Sequence, residues 1–110
     1  MVLTENLKLV ALGNPLLDMQ VRDGQEVLQK YSLKSNDAVL ASPEQLSIYG
    51  HLVENYQVTY VAGGAAQNTA RCAQYVLPQD STAYLGCVGN DDLAQQLRAA
   101  NAVSYTHLRA

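Results

Sequence analysis

Three short runs carry side chains able to hold a small polar ligand: Gly13-Asn14-Pro15-Leu16-Leu17-Asp18, Gly63-Gly64-Ala65-Ala66-Gln67-Asn68 and Gly86-Cys87-Val88-Gly89-Asn90-Asp91. In the first, a strand that ends in Gly-Asn-Pro puts the following side chains at the carboxyl edge of a sheet, where open α/β folds bind ligands. An ionised Asp18 at that edge only accepts hydrogen bonds, so it can take both hydroxyls of a vicinal diol. The plainer alternative is that Asn14 and Asp18 only shape a turn. In the second run, two glycines between a strand and a helix let the backbone approach a ligand, with helix N-terminal amides pointing outward. Asn68, one turn into that helix, can reach back to a hydroxyl, or it can be a solvated asparagine beyond a tight turn. No G-K-S/T follows and the spacing is not G-x-G-x-x-G, so neither nucleotide fingerprint is met. In the third run Asp91 has the position of a helix cap.

The remaining reactive residues exclude other chemistry. Cys72 and Cys87 form no C-x-x-C pair and have no histidine pair near them in sequence. That argues against zinc and for buried free thiols in a reducing compartment. His51 lies off the apolar face of its helix and His107 sits near the end, neither with a pattern that makes a base or a ligand. A net charge of −3 argues against a surface built to neutralise nucleic-acid phosphates. No apolar run reaches the roughly 18–20 residues that span a bilayer. Met1 to Lys8 lacks the basic and apolar regions of a secretory signal. The expected compartment is the cytoplasm, with the nucleus compatible.

The elements that must position these groups follow from periodicity. Leu7 to Leu12 is a short apolar run stopped by Gly13-Asn14-Pro15, the pattern of a buried first strand. Leu16 to Val21 is extended, Asp23-Gly24 a turn, and Gln25 to Tyr31 a short helix with Val27, Leu28 and Tyr31 on one side. Ala38 to Leu40 is a brief strand. Ser42-Pro43-Glu44-Gln45 has the composition of a capped helix start, and Leu46, Tyr49, Val53 and Tyr56 follow as an apolar face. Gln57 to Val61 alternates as a strand does. Ala66, Ala70, Ala73 and Leu77 form a small-residue stripe that lets a helix pack close to a sheet, and Pro78 stops it. Thr82 to Val88 is a second buried strand, Gly89-Asn90-Asp91 a turn and cap, and Leu93, Leu97 and Ala100 a last helical face. The later β-α-β-α order predicts an α/β fold with a mostly parallel sheet. The short strands near 16–22, 37–41 and 57–62 are expected to form a small sheet standing off it as a lid.

Taken together, in this order and spacing, the three runs resemble the N-terminal half of the carbohydrate-kinase family that includes ribokinase. Lys30-Tyr31-Ser32-Leu33-Lys34-Ser35-Asn36-Asp37 and Ala62-Gly63-Gly64-Ala65-Ala66-Gln67-Asn68, with the first run, narrow the resemblance to the adenosine-kinase branch over about residues 7–102. It implies a ribokinase-like fold, a partial Rossmann-like parallel sheet with a small β lid, and adenosine held between them. Members move the γ-phosphate of ATP, with magnesium, to the 5′-hydroxyl of adenosine, giving AMP in purine salvage.

Carried over, Asp18 resembles the acceptor of the ribose diol. Asn68 and the Gly63-Gly64 backbone resemble the groups that fix the sugar, and Asn14, Leu16 and Leu40 the pocket and lid positions. Closing such a lid excludes water, a competing acceptor of the phosphoryl group. The family's G-A-G-D catalytic run has no counterpart here, and its later ATP-binding part is missing. The resemblance therefore implies an inactive N-terminal piece over 1–102 that binds no ATP or Mg2+ itself, from a monomeric parent acting on adenosine and not on nucleic acid or membrane. Residues 103–110 depart from the family pattern and read as a non-native, vector-derived tail. A ribokinase-like sugar kinase piece and a non-catalytic nucleoside-binding module are the alternatives.

Overall fold

The computed structural model describes residues 7–104, in two compact units. One unit is made of residues up to Asp18 and from Tyr60 onward; the other is Met19–Thr59. Of the expected tail at 103–110, residues 103–104 are the end of the last helix and the rest lies outside the described residues, as does the stretch before Leu7.

In the first unit β1 (Leu9–Leu12) and β4 (Thr82–Leu85) pair in parallel, Leu9 opposite Thr82 and Leu12 opposite Leu85. Helix α3 (Ala65–Val76) packs on both strands. Its alanine stripe allows this: Ala70 is fully buried, with Ala66 and Ala73 half-buried beside it. Gln67 is fully buried as well, its Nε2 donating to Asn101 Oδ1 on α4 (Asp92–Ser104). Asp91 caps α4 as expected, its Oδ1 accepting from Ala94 N at 2.8 Å. The parallel sheet with a helix laid on it is the expected α/β arrangement in part.

The link from α3 to β4 is closed by one side chain. Gln74 Oε1 accepts from Ser81 N, Thr82 N and Thr82 Oγ1, each at 3.1 Å, and Gln74 Nε2 donates to Pro78 O at 2.9 Å. Ser81 and Thr82 are buried, so water cannot replace this acceptor. Gln74→Ala is expected to cost about 2–3 kcal/mol by orphaning buried donors, read as a lower urea midpoint with unchanged slope.

In the second unit α1 (Gln25–Lys30) is followed by a 3-10 turn (Pro43–Ser47) that runs into α2 (Ile48–Asn55). Gln45 Oε1 accepts from Ser42 N at 2.9 Å, as a capping box requires. The same side chain donates through Nε2 to Tyr31 O at 3.0 Å, tying the turn to the end of α1. Strands β2 (Leu16–Gln20) and β3 (Thr59–Gly63) form a separate two-stranded sheet, and the division between units falls inside both strands.

Several expectations are corrected. Residues 37–41 form no strand: among the described residues each sheet has two strands, so this stretch has no neighbour to pair with, and Leu40 is 98% exposed. Leu46, Tyr49 and Val53 are exposed, while Leu52 is buried with Ile48 half-buried. The opening 3-10 turn has about 3.0 residues per turn, which shifts the phase of every later position. On α4 the buried positions are Ala94 and Leu97, and Leu93 faces out, because the cap at Asp91 sets the helix rotation. Strand β4 ends at Leu85, since Gly86 has no side chain to pack. Cys72 and Cys87 are free but exposed, Cys72 because the stripe of α3 that meets the sheet leaves it on the outer side.

Candidate functional site

The end of β1 is held from two sides. Gly13 N donates to Leu85 O at 3.1 Å, and the Tyr84 hydroxyl donates to Gly13 O at 2.6 Å. A Cβ on Gly13 would lie 2.7 Å from Ala66 Cβ, so the missing side chain is what seats the start of α3 on the strand. The chain then turns through Asn14-Pro15 into β2, where exposure alternates. Asn14, Leu16 and Asp18 share the exposed parity, and Leu17 and Met19 the half-buried one.

The Gly63-Gly64 pair meets this segment backbone to backbone. Gly64 has φ +104° and ψ 144°, a conformation that disfavours any side chain. A Cβ there would stand 2.7 Å from Asn14 O and 3.3 Å from Leu16 N. A Cβ on Gly63 would stand 2.5 Å from Asp18 Oδ2 and 3.2 Å from its Cγ, so the Asp18 carboxylate lies directly over the Gly63 Cα. Asn14, Leu16, Asp18, Gly63 and Gly64 are thereby brought to one place from sequence positions far apart.

Asn68 stands one turn along α3, its backbone N donating to Gly64 O at 2.8 Å and its Oδ1 accepting from Arg71 Nη2. Leu40 belongs to the other unit, on the stretch without regular structure. Two residues of this region escape a reading of the sequence, Arg71 and Tyr84. The available signal for Tyr84 was a phenol in a buried strand, since a buried tyrosine hydroxyl needs a partner. Burial pushes the Tyr84 phenol above its ordinary value, with Cys87 adding to the rise, so it stays a protonated donor.

The arrangement presents an acceptor carboxylate above a side-chain-free strip of backbone, next to the N-terminus of a 12-residue helix. That suits a ligand carrying adjacent hydroxyls. Among the described residues no group of three His, Cys, Asp or Glu side chains could hold a metal ion. No helix among them is long and apolar enough to cross a membrane.

Residues 26–104 match the model of the pfkB family carbohydrate kinases. The chain is 63% identical over 94 residues to an adenosine kinase of Schizophyllum commune, covering 86% of this chain and 27% of that protein. It is 54% identical over 93 residues to an adenosine kinase of Schizosaccharomyces pombe, covering 84% and 26%. Adenosine kinase from Trypanosoma brucei brucei superposes with a TM-score of 0.77 at 30% identity, covering 92% of this chain and 32% of that one. Adenosine kinase from Schistosoma mansoni in complex with tubercidin superposes with a TM-score of 0.73 at 30% identity, covering 87% and 29%. The chain thus spans about a quarter of the length of the curated relatives it matches.

Proposed function

The chain belongs to the pfkB family of carbohydrate kinases, and from that membership we propose that it forms the nucleoside-holding part of an adenosine kinase. The observation that carries this reading is the Asp18 carboxylate resting over Gly63, in a chain 63% identical to an adenosine kinase across that region. Asp18 accepts both hydroxyls of the ribose diol. The Gly63-Gly64 backbone and Asn68 fix the sugar from the side of α3, and Asn14 and Leu16 line the exposed face beside it. By the family resemblance Leu40 is a lid position of the parent enzyme, where a lid serves to exclude water.

The full-length protein is a cytoplasmic or nuclear enzyme that uses ATP with magnesium to phosphorylate the adenosine 5′-hydroxyl, giving AMP in purine salvage. It acts as a monomer and on neither nucleic acid nor membrane. ATP supplies the phosphoryl group when bound; the residues of this chain bind and orient the acceptor nucleoside. Positioning of this kind accounts for much of phosphoryl-transfer catalysis.

Full-length protein should therefore convert adenosine to AMP with a kcat/KM well above that for ribose. A preference for ribose would overturn the reading in favour of a sugar kinase. Gly63→Ala gives a second measure. Gly63 has no left-handed φ, so its backbone accepts alanine, but the new Cβ must push the Asp18 carboxylate aside. Loss of one charge-assisted hydrogen bond corresponds to about a tenfold fall in kcat/KM for adenosine, measured by initial rates, with the thermal midpoint little changed.

A further inference from the structure

Tyr84 fills its place in the core far more completely than its hydroxyl requires. It is 2% exposed, sits opposite Ala11 in the β1–β4 register, and a phenylalanine would occupy the same volume. Its hydroxyl donates to the carbonyl oxygen of Gly13, 71 residues away, at 2.6 Å. Gly13 C=O and Asn14 N–H belong to one rigid peptide plane, so the direction of that carbonyl sets the direction in which Asn14 leaves the strand. Pro15 then follows with a locked φ, which passes the constraint on to Leu16. Gly13 N is held at the same time by Leu85 O, so both faces of the residue are tied to β4. Gly86 completes the arrangement: a Cβ there would lie 2.6 Å from the Tyr84 hydroxyl and 3.0 Å from Gly13 O.

From this geometry we infer that Tyr84 is a positioning residue, whose hydroxyl aims the Asn14-to-Asp18 segment at the bound nucleoside. The inference rests on the proposed nucleoside site for its functional consequence. The hydroxyl touches no substrate and acts through the Gly13–Asn14 peptide. A phenol buried only for packing would leave the Asn14 turn indifferent to its oxygen.

The test uses full-length protein carrying Tyr84→Phe. The KM for adenosine should rise about fivefold or more, as small misplacements of binding groups do, while the KM for ATP stays within twofold. Amide hydrogen exchange should accelerate at Asn14, Leu16 and Leu17 and stay unchanged across Leu9–Leu12. An adenosine KM within twofold of wild type, or equal acceleration across β1, would overturn the inference and leave the hydroxyl a general stabiliser. Gly86→Ala approaches the same contact independently, by forcing the phenol and the carbonyl apart. Its effect and that of Tyr84→Phe should be less than additive in the double variant, because both break one contact; full additivity also counts against the inference. If wild-type protein does not phosphorylate adenosine, the proposed function fails, and the exchange measurement alone then decides whether Tyr84 sets the turn.

Discussion

Asp18→Asn in the full-length protein is expected to lower kcat/KM for adenosine about a hundredfold or more while leaving the fold intact. The amide has the shape of the carboxylate but carries no charge, and one of its two oxygens becomes an NH2 group. A ribose diol that met two acceptor oxygens then meets one acceptor and one donor. Hydrogen bonds to charged groups contribute about 1.5–3 kcal/mol each. Weakening a pair of them therefore removes about 3 kcal/mol, and about 1.4 kcal/mol corresponds to a factor of ten. Stability should hardly move, because Asp18 is exposed and makes no packing contact that the amide cannot repeat. Such surface changes fall within about 0.5 kcal/mol. Steady-state kinetics beside a thermal melt separates the two effects. Activity within threefold of wild type would remove Asp18 from the ribose and with it the central element of the proposed site.

Gly64→Ala is expected to be the most destabilising single substitution in the region, by about 3 kcal/mol or more. Two independent costs meet at this position. The backbone at φ +104° and ψ 144° disfavours side chains, which costs about 1–3 kcal/mol. The new Cβ would also stand 2.7 Å from Asn14 O, a backbone atom that cannot rotate away. Overpacking of this kind adds about 1–3 kcal/mol. Gly63→Ala next door makes the useful comparison. Its Cβ meets the end of a flexible side chain on an ordinary backbone, so it should disturb ligand binding more than folding. Urea denaturation of the two variants should place Gly64→Ala well below Gly63→Ala. Equal midpoints would show that the Gly64 backbone relaxes, and that the close approach of α3 to the Asn14 turn is not a structural requirement.

The same contrast between local and distant determinants runs through the molecule. Features whose partners lie within about four residues are legible in the chain itself. The Gly13-Asn14-Pro15 stop, the Asp91 cap, the Gln45 reach back to Ser42 N and the alanine stripe of α3 all appear where turn and helix chemistry places them. Leu16 to Val21 is likewise legible as extended, and β2 runs from Leu16 to Gln20.

What the tertiary structure alone decided is which distant segments meet, and in what phase. Residues 37–41 have strand-like composition but no strand beside them, and backbone pairing is a property of two segments. The inward face of α2 depends on a 3-10 first turn that residue spacing does not reveal. Asp18 over Gly63, Asn14 against Gly64 and Tyr84 on Gly13 each join positions about 45 to 71 residues apart, a separation across which local propensity carries no information. The sequence by itself determined that two glycine turns and a carboxylate exist at element ends. Only folding decided that they face one another, because close approach of two backbones depends on the packing of α3 against β1 and β4.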